Sequence, residues 1–233
     1  MNQSRTITAG RVLDATAPSR RAVLRAAVAA VASVATAAPV SGGKVLATEP
    51  DAAAPPPPAP VPYQGLLENE GHAYQSWGLT HETRPAVYVE PISYADVQAV
   101  VVDPIQFPSP VSPVGSMLSV TRTVVNDGGT LLCTLKLDEI LGVETDAVGR
   151  SVVRVQAGCR LKKLHLWLQS RGLEIPYQAE IGDATVGSMA AGDTKDSSLK
   201  GPGYFSAGVV AVTYVDEQGT LVTLSDLVDE KAL

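Results

Sequence analysis

The chain has 233 residues, which allows one or two domains. With 45% hydrophobic and 18% charged residues its balance is that of a globular protein. A net charge of -6 leaves no electrostatic footprint for nucleic acid.

The N-terminal segment has the character of an address. Ser19-Arg20-Arg21-Ala22-Val23-Leu24-Arg25 forms a twin-arginine motif, two adjacent arginines before an apolar position and a basic one. Residues 26–40 are an uncharged alanine-rich run, too short and too weakly apolar to span a bilayer stably. Small residues suited to peptidase cleavage follow at Ala35-Thr36-Ala37 and Val45-Leu46-Ala47. A basic helical N-terminus of a cytosolic protein and a mitochondrial presegment are the competing readings. The order of motif, run and cleavage sites favours the signal, and Asp14 counts against the presegment. Residues 1–47 are therefore expected to be a twin-arginine signal peptide, with export to the periplasm, envelope or exterior. The Ala/Pro-rich stretch 48–62 is expected to be an extended polyproline linker. On this reading residues 1–62 lie outside the fold.

The domain is expected to open at Ser76-Trp77-Gly78. Residues 86–90 predict a strand, and 91–102 a helix with Ser93 as N-cap, Asp96 three residues on, and Val97, Val100 and Val101 at helical spacing. Val111 to Val114 predicts a strand running into the small-residue loop 115–119. Gly128-Gly129 marks a turn, 130–135 a strand and 137–141 a short helical turn. Residues 143–148 and 151–156 predict a hairpin around Gly149-Arg150. Residues 160–171 predict a helix with Leu161, Leu164, Trp167 and Leu168 on one face and Gly172 as its C-cap. Residues 181–203 read as a loop rich in Gly, Ser, Thr and Asp; 209–215, 216–219 and 220–224 read as strand, turn and strand. Strands outnumber helices without a regular βαβ rhythm, so the fold class is α+β with mixed sheets.

Cys133 and Cys159 are too few for a disulfide framework and sit in apolar segments, as buried small hydrophobes do. His72, His81 and His165 have no metal-ligand spacing, so no metal site is expected. Two segments have the composition of anion-binding loops: 113–119, and 180–188 continuing to 191–198. Gly and Ser let backbone N–H groups converge on an anion such as a pyrophosphate without Cβ obstruction. On chemistry alone, ordinary surface turns account for them more simply. Neither a GxGxxG nor a Walker loop is present.

Taken in order, several pieces resemble one family. They are the strand into the Val114–Ser119 loop, Gly129-Thr130-Leu131, Leu137-Asp138-Glu139-Ile140-Leu141, and Val153-Arg154-Val155-Gln156-Ala157-Gly158. The Leu-rich helix ending in Gly172-Leu173, Ile181 to Gly187, and Val209 to Thr220 complete the set. Residues 111–224, about half the chain, resemble the FAD-binding domain of the vanillyl-alcohol oxidase / p-cresol methylhydroxylase (PCMH) type, in the branch with sugar-lactone and alditol oxidases. The resemblance implies an FAD-linked oxidase whose FAD-binding domain, residues 76–228, consists of two α+β subdomains, about 76–145 and 146–228, with FAD between them. The first loop would wrap the pyrophosphate with backbone amides at Val114, Gly115, Ser116, Met117 and Ser119. The second would line flavin and pyrophosphate with Gly182, Asp183, Thr185, Gly187, Ser188, Gly192 and Thr194, and Val210 would lie beside the adenine. Many relatives carry a flavin-linking histidine where this chain has Leu118, which implies non-covalent FAD. Lys195 stands where relatives often have histidine; it either meets a phosphate or flavin carbonyl or is a solvated lysine.

Relatives also carry a C-terminal substrate domain, expected to be absent here, so no catalytic base can be named. Two functions follow from the resemblance. One is the FAD-binding module of an exported FAD-dependent oxidoreductase, passing hydride from an alcohol-type substrate to flavin once a separate substrate or cap domain or chain completes it. The other is a truncated, catalytically inactive FAD-fold protein acting as a binding or interaction module. A third reading, independent of flavin, is an envelope protein whose Gly/Ser segments are plain loops.

Overall fold

The structure, a computed structural model, describes residues 30–36, 62–69, 71–192, 194–197 and 203–225. The twin-arginine motif, both ends of the apolar run and the linker up to residue 61 lie outside the described residues.

Two sheets organise the chain. The first contains β2 (Leu66–Asn69), β5 (Val87–Glu90), β6 (Val111–Val114) and β7 (Thr130–Cys133) in the order β2-β5-β7-β6. β2 pairs antiparallel with β5, whereas β5 and β6 flank β7 in parallel. β3 (Tyr74–Gln75) and β4 (Glu82–Thr83) form a small separate ladder. The parallel pairs need a crossover, and α1 (Tyr94–Val102) supplies the one between β5 and β6. It starts where the sequence predicts. The Ser93 hydroxyl accepts from Asp96 N at 3.1 Å, and the Asp96 carboxylate accepts from Ser93 N at 3.0 Å, a complete capping box. Asp96 is buried because the same carboxylate also accepts from Gln64 N and Ile92 N. Val97 and Val100 pack with Val87, Val89, Phe107, Leu132 and Leu137 on one face of the sheet.

The second sheet is antiparallel, in the order β11-β10-β1-β9-β8. Its strands are β1 (Ala30–Thr36), β8 (Ile140–Thr145), β9 (Ser151–Gln156), β10 (Val209–Val215) and β11 (Leu221–Ser225). α2 (Leu161–Gln169) buries Leu161, Leu164 and Leu168 against Val153, Val155, Ile175, Val186, Met189 and Phe205. Gly172 turns the chain after it with φ +67, a left-handed position glycine fills without Cβ penalty. The subdomains meet where Val215 joins the core of the first and Gln98 Nε2 donates to Gly219 O at 2.6 Å.

The α+β class and the two-subdomain plan match the sequence expectation, while several element bounds differ. The short helical turn expected at 137–141 is instead a 3-10 turn at Thr134–Lys136, and Ile140 and Leu141 begin β8. β8 pairs with β9, so the subdomain boundary falls before Ile140 and not at 145. The fold also begins before Ser76: β2 joins the first sheet, and the Tyr63 ring packs edge-on against Phe107 at 5.4 Å. Lastly, residues 30–36, expected outside the fold, form β1 within the second sheet. The β-branched Val31, Val34 and Thr36 in Ala-Val-Ala-Ser-Val-Ala-Thr suit a strand as well as an apolar signal run.

Candidate functional site: two facing loops

The first loop leaves β6 at Val114, whose carbonyl accepts from the Thr134 hydroxyl at 3.1 Å. The chain then turns sharply. Met117 is held at φ +53, and its carbonyl accepts from Trp77 N at 2.9 Å. A non-glycine residue in the left-handed region is a strained position that the surroundings must enforce. Among the described residues, the backbone N–H groups of Ser116, Met117, Leu118 and Ser119 have no acceptor. Successive N–H groups around a left-handed residue form a concavity that binds anions. A downstream knot holds the far end of the loop: the Thr123 hydroxyl donates to Ser119 Oγ at 2.8 Å, and Thr121 N donates to the same oxygen at 3.2 Å.

The second loop is held from below by β9 and α2. Lys162 N donates to Gly182 O and Leu161 N to Ala184 O, while Val186 N reaches Cys159 O and Gly187 N reaches Ala157 O, all at 2.8–2.9 Å. The sequence reads 181–203 as loop throughout. Residues 186–191 instead form α3 (Val186–Ala191), a short helix that starts after Thr185, whose side chain makes no capping bond to the helix backbone. Its turn is stabilised by burying Val186 and Met189 in the α2 core, a contact that Gly/Ser content conceals.

The two loops touch. Ser116 Oγ donates to Asp183 O at 2.6 Å. Gly115 lies so close to Thr185 that a Cβ there would fall inside contact distance of Thr185 Oγ1. Thr185 is itself buried and donates to Ser188 Oγ at 3.0 Å, and Ser188 Oγ donates to Thr185 O at 2.9 Å. Gly115, Ser116, Asp183, Thr185 and Ser188 therefore form one junction between the subdomains, with Met117 and Ser119 on the same turn.

The other predicted residues play different parts. Gly187 approaches Ala157, where a Cβ would meet the Ala157 Cβ at 2.7 Å, so its small size serves helix packing and its amide is already used. Gly182 packs over Lys162. Gly192 N and Thr194 N donate back into α3, to Ser188 O and Met189 O. Val210 is buried in β10, and among the described residues no hydrogen bond joins it, Gly192 or Thr194 to the first loop. Lys195 is exposed and bridges to Tyr204. The sequence reading missed Thr134 and Trp77 as the groups that fix the first loop. Both act through backbone partners far away in sequence, which no local pattern reveals.

Cys133 and Cys159 are free and buried. Burial pushes the Cys159 thiol up to about 11, so it carries no thiolate at neutral pH. His165 is half-buried, and burial holds its imidazole below the usual range; its Nε2 has no partner among the described residues.

Residues 85–225, more than half the chain, match the family described as FAD binding domain. L-gulonolactone oxidase of Mus musculus is 28% identical over 157 residues, covering 67% of this chain and 34% of that protein. D-arabinono-1,4-lactone oxidase of Eremothecium gossypii is 29% identical over 167 residues, covering 71% and 31%. The chain thus spans about a third of the length of the curated relatives it matches. Among solved structures, cholesterol oxidase from Brevibacterium sterolicum superposes with a TM-score of 0.58 at 22% identity, covering 73% of this chain and 35% of that one. The BBE-like 1 protein of Physcomitrella patens gives 0.57 at 22%, covering 69% and 36%. With the loop geometry and the order of elements, these likenesses show that the chain belongs to the FAD binding domain family of FAD-linked oxidases.

Proposed function

We propose that this chain is the FAD-binding module of an exported FAD-dependent oxidoreductase and that it holds FAD without a covalent bond. The carrying observation is the junction in which a turn with four N–H groups that have no acceptor among the described residues is clamped to the second loop through Ser116 and Thr185. The donor set fits a dinucleotide: the N–H groups of Ser116, Met117, Leu118 and Ser119 suit a pyrophosphate, which carries negative charge and no hydrogens to donate. The donors are neutral amides held in place by Thr134 and Trp77, so no charged side chain has to be desolvated to present them.

When bound, FAD would supply the redox chemistry, accepting a hydride from a substrate C–H. The protein's own part is to fix the cofactor. Met117 stays left-handed through the Trp77 bond, Ser116 ties the turn to Asp183, and Thr185 and Ser188 set the floor beneath both loops. Leu118 is an alkyl side chain with no nucleophilic atom, which supports dissociable FAD. The substrate is expected to be a hydroxyl-bearing compound of the sugar-lactone kind named for the relatives. The groups that orient it and take its proton belong to a cap domain or a separate chain, and the twin-arginine route would carry the folded, FAD-loaded protein out of the cytoplasm. The alternative, an inactive FAD-fold binding module, shares the loops and differs only in having no turnover.

Thermal unfolding with added FAD tests the reading. A ligand bound only by the folded state at a hundred times its Kd stabilises by about 2.7 kcal/mol, so Tm should rise with FAD concentration. A Tm independent of FAD, with FAD fluorescence unchanged by the protein, would refute it.

A further inference from the structure

The face of the first sheet opposite α1 carries a pair of tyrosines that the two loops do not use. In β5, Val87 and Val89 turn toward α1, so Tyr88 and Glu90 point to the other face. The β2–β5 register sets Glu68 opposite Tyr88, and the β5–β7 register sets Leu131 beside it. Tyr74 of β3 closes over this face, its ring stacked on that of Tyr88 with centroids 4.5 Å apart and planes 15° from parallel. Each phenol ends on its own carboxylate. Tyr74 OH donates to Glu68 Oε2 at 2.9 Å, and Tyr88 OH donates to Glu90 Oε1 at 2.8 Å. Lys136 Nζ stands 3.9 Å from Glu90 Oε2. Both rings pack against the cluster of Val114, Val124, Leu131 and Cys133, as Met117 of the first loop does. By contrast, Tyr63 OH donates to the backbone carbonyl of Leu66, and Tyr94 OH donates to no described residue.

Stacking accounts for the ring contact, but a buried phenol needs only some acceptor, and here both have a base. Removing an electron from a phenol makes its O–H strongly acidic, so oxidation is eased where a base already accepts that hydrogen bond. A second ring in contact shares the positive hole. Burial foremost holds both phenols above their ordinary range, so each keeps its proton at neutral pH and presents it to the carboxylate. We propose that Tyr74 and Tyr88 form a one-electron donor site, which an outer-sphere one-electron oxidant such as a trivalent ruthenium complex oxidises. In that step one ring gives up an electron and the oxidant is reduced by one. The phenolic O–H bond breaks, and its proton forms an O–H bond with Glu68 or Glu90. A neutral phenoxyl radical and a glutamic acid remain. Oxidising equivalents that reach this cluster thereby come to rest on the tyrosine pair and not on the Cys133 thiol or the Met117 thioether packed with it.

The test uses the full chain without flavin, and photogenerated tris-bipyridine ruthenium(III) as the oxidant. Transient absorption follows phenoxyl formation, and a nitroso spin trap followed by peptide mass spectrometry locates the radical. The expected result in the unaltered chain is a neutral phenoxyl radical trapped on Tyr74 or Tyr88. Tyr74→Phe combined with Tyr88→Phe should abolish it, whereas Tyr94→Phe should leave it unchanged. Glu68→Gln combined with Glu90→Gln keeps an oxygen acceptor at each phenol but no base, and phenoxyl formation should slow at least about tenfold. A pair with a purely structural role has no such dependence on the carboxylates. Trapping confined to other tyrosines, to tryptophan, to Cys133 or to Met117 in the unaltered chain would overturn the proposal, whether or not the variants fold. So would phenoxyl formation in the Glu68→Gln, Glu90→Gln protein at the rate of the unaltered chain. Because no flavin is present, either failure leaves the FAD reading standing.

Discussion

An alanine at position 115 would put its Cβ inside contact distance of Thr185 Oγ1, 2.9 Å from Thr185 Cγ2 and 3.1 Å from Thr185 Cβ. The backbone of Gly115 is not left-handed, so the penalty is this steric contact alone. Thr185 is 1% exposed, and its hydroxyl donates to Ser188, so the side chain has no open rotamer to retreat into. Overpacking of this kind costs about 1–3 kcal/mol. The loops would move apart and weaken the Ser116–Asp183 bond. The paired variant identifies the cause. Thr185→Ala removes Oγ1 and Cγ2 at a cost of about 1 kcal/mol for the lost hydrogen bond. In that background Gly115→Ala meets only the Cβ at 3.1 Å, so the double variant should be less destabilised than the sum of the singles by about 1–2 kcal/mol. Urea unfolding of the four proteins gives the coupling, and FAD titration gives its effect on the cofactor, where 1.4 kcal/mol is about tenfold in Kd. Additive losses, or unchanged stability in the Gly115→Ala protein, would refute the claim that the loops are clamped at this contact.

Asp96→Ala should cost about 2–4 kcal/mol in urea unfolding, because it strips acceptors from Gln64 N, Ile92 N and Ser93 N and breaks the capping box. Gly158→Ala should destabilise by at least the upper part of the ~1–3 kcal/mol overpacking range, since its Cβ would overlap Thr134 O and lie 2.8 Å from Leu137 O; a near-neutral urea midpoint would count against the tight join there. The pH response should follow His165. Burial lowers its folded pKa, so the unfolded chain binds more protons below about 6.5, and the stability present above that value is lost as pH falls toward the folded pKa. The depressed Asp146 carboxyl loses its contribution only in the lower carboxylate range, so it leaves pH 5–7 to the histidine. Urea midpoints measured from pH 7 to 5 should decline, and His165→Phe should flatten that decline.

Much of the fold was legible because its signals are local. The Ser93 and Asp96 pair marks the start of α1, the leucines of α2 repeat at helical spacing, and the hairpin turns carry glycine at positive φ, Gly149 and Gly219. What was not legible depends on distant partners. α3 hides within a Gly/Ser-rich stretch because its helix rests on two buried side chains, Val186 and Met189, and not on propensity. β1 has the composition of a signal run, and only its pairing with β9 and β10 makes it a strand. At the candidate site, Gly115, Ser116, Asp183 and Thr185 were named from sequence and do come together. Gly187 was named for the ligand, but its size and amide are taken up by Ala157, an equally good reason for glycine that sequence cannot separate from the first.

The most direct test of the central claim is the absorption spectrum of the purified full chain, reconstituted with FAD and recorded before and after acid precipitation. Flavin bands that follow the protein on gel filtration and pass into the supernatant on acidification are the predicted result. A colourless protein after reconstitution would contradict FAD binding at the two loops, and colour retained in the acid pellet would contradict non-covalent attachment.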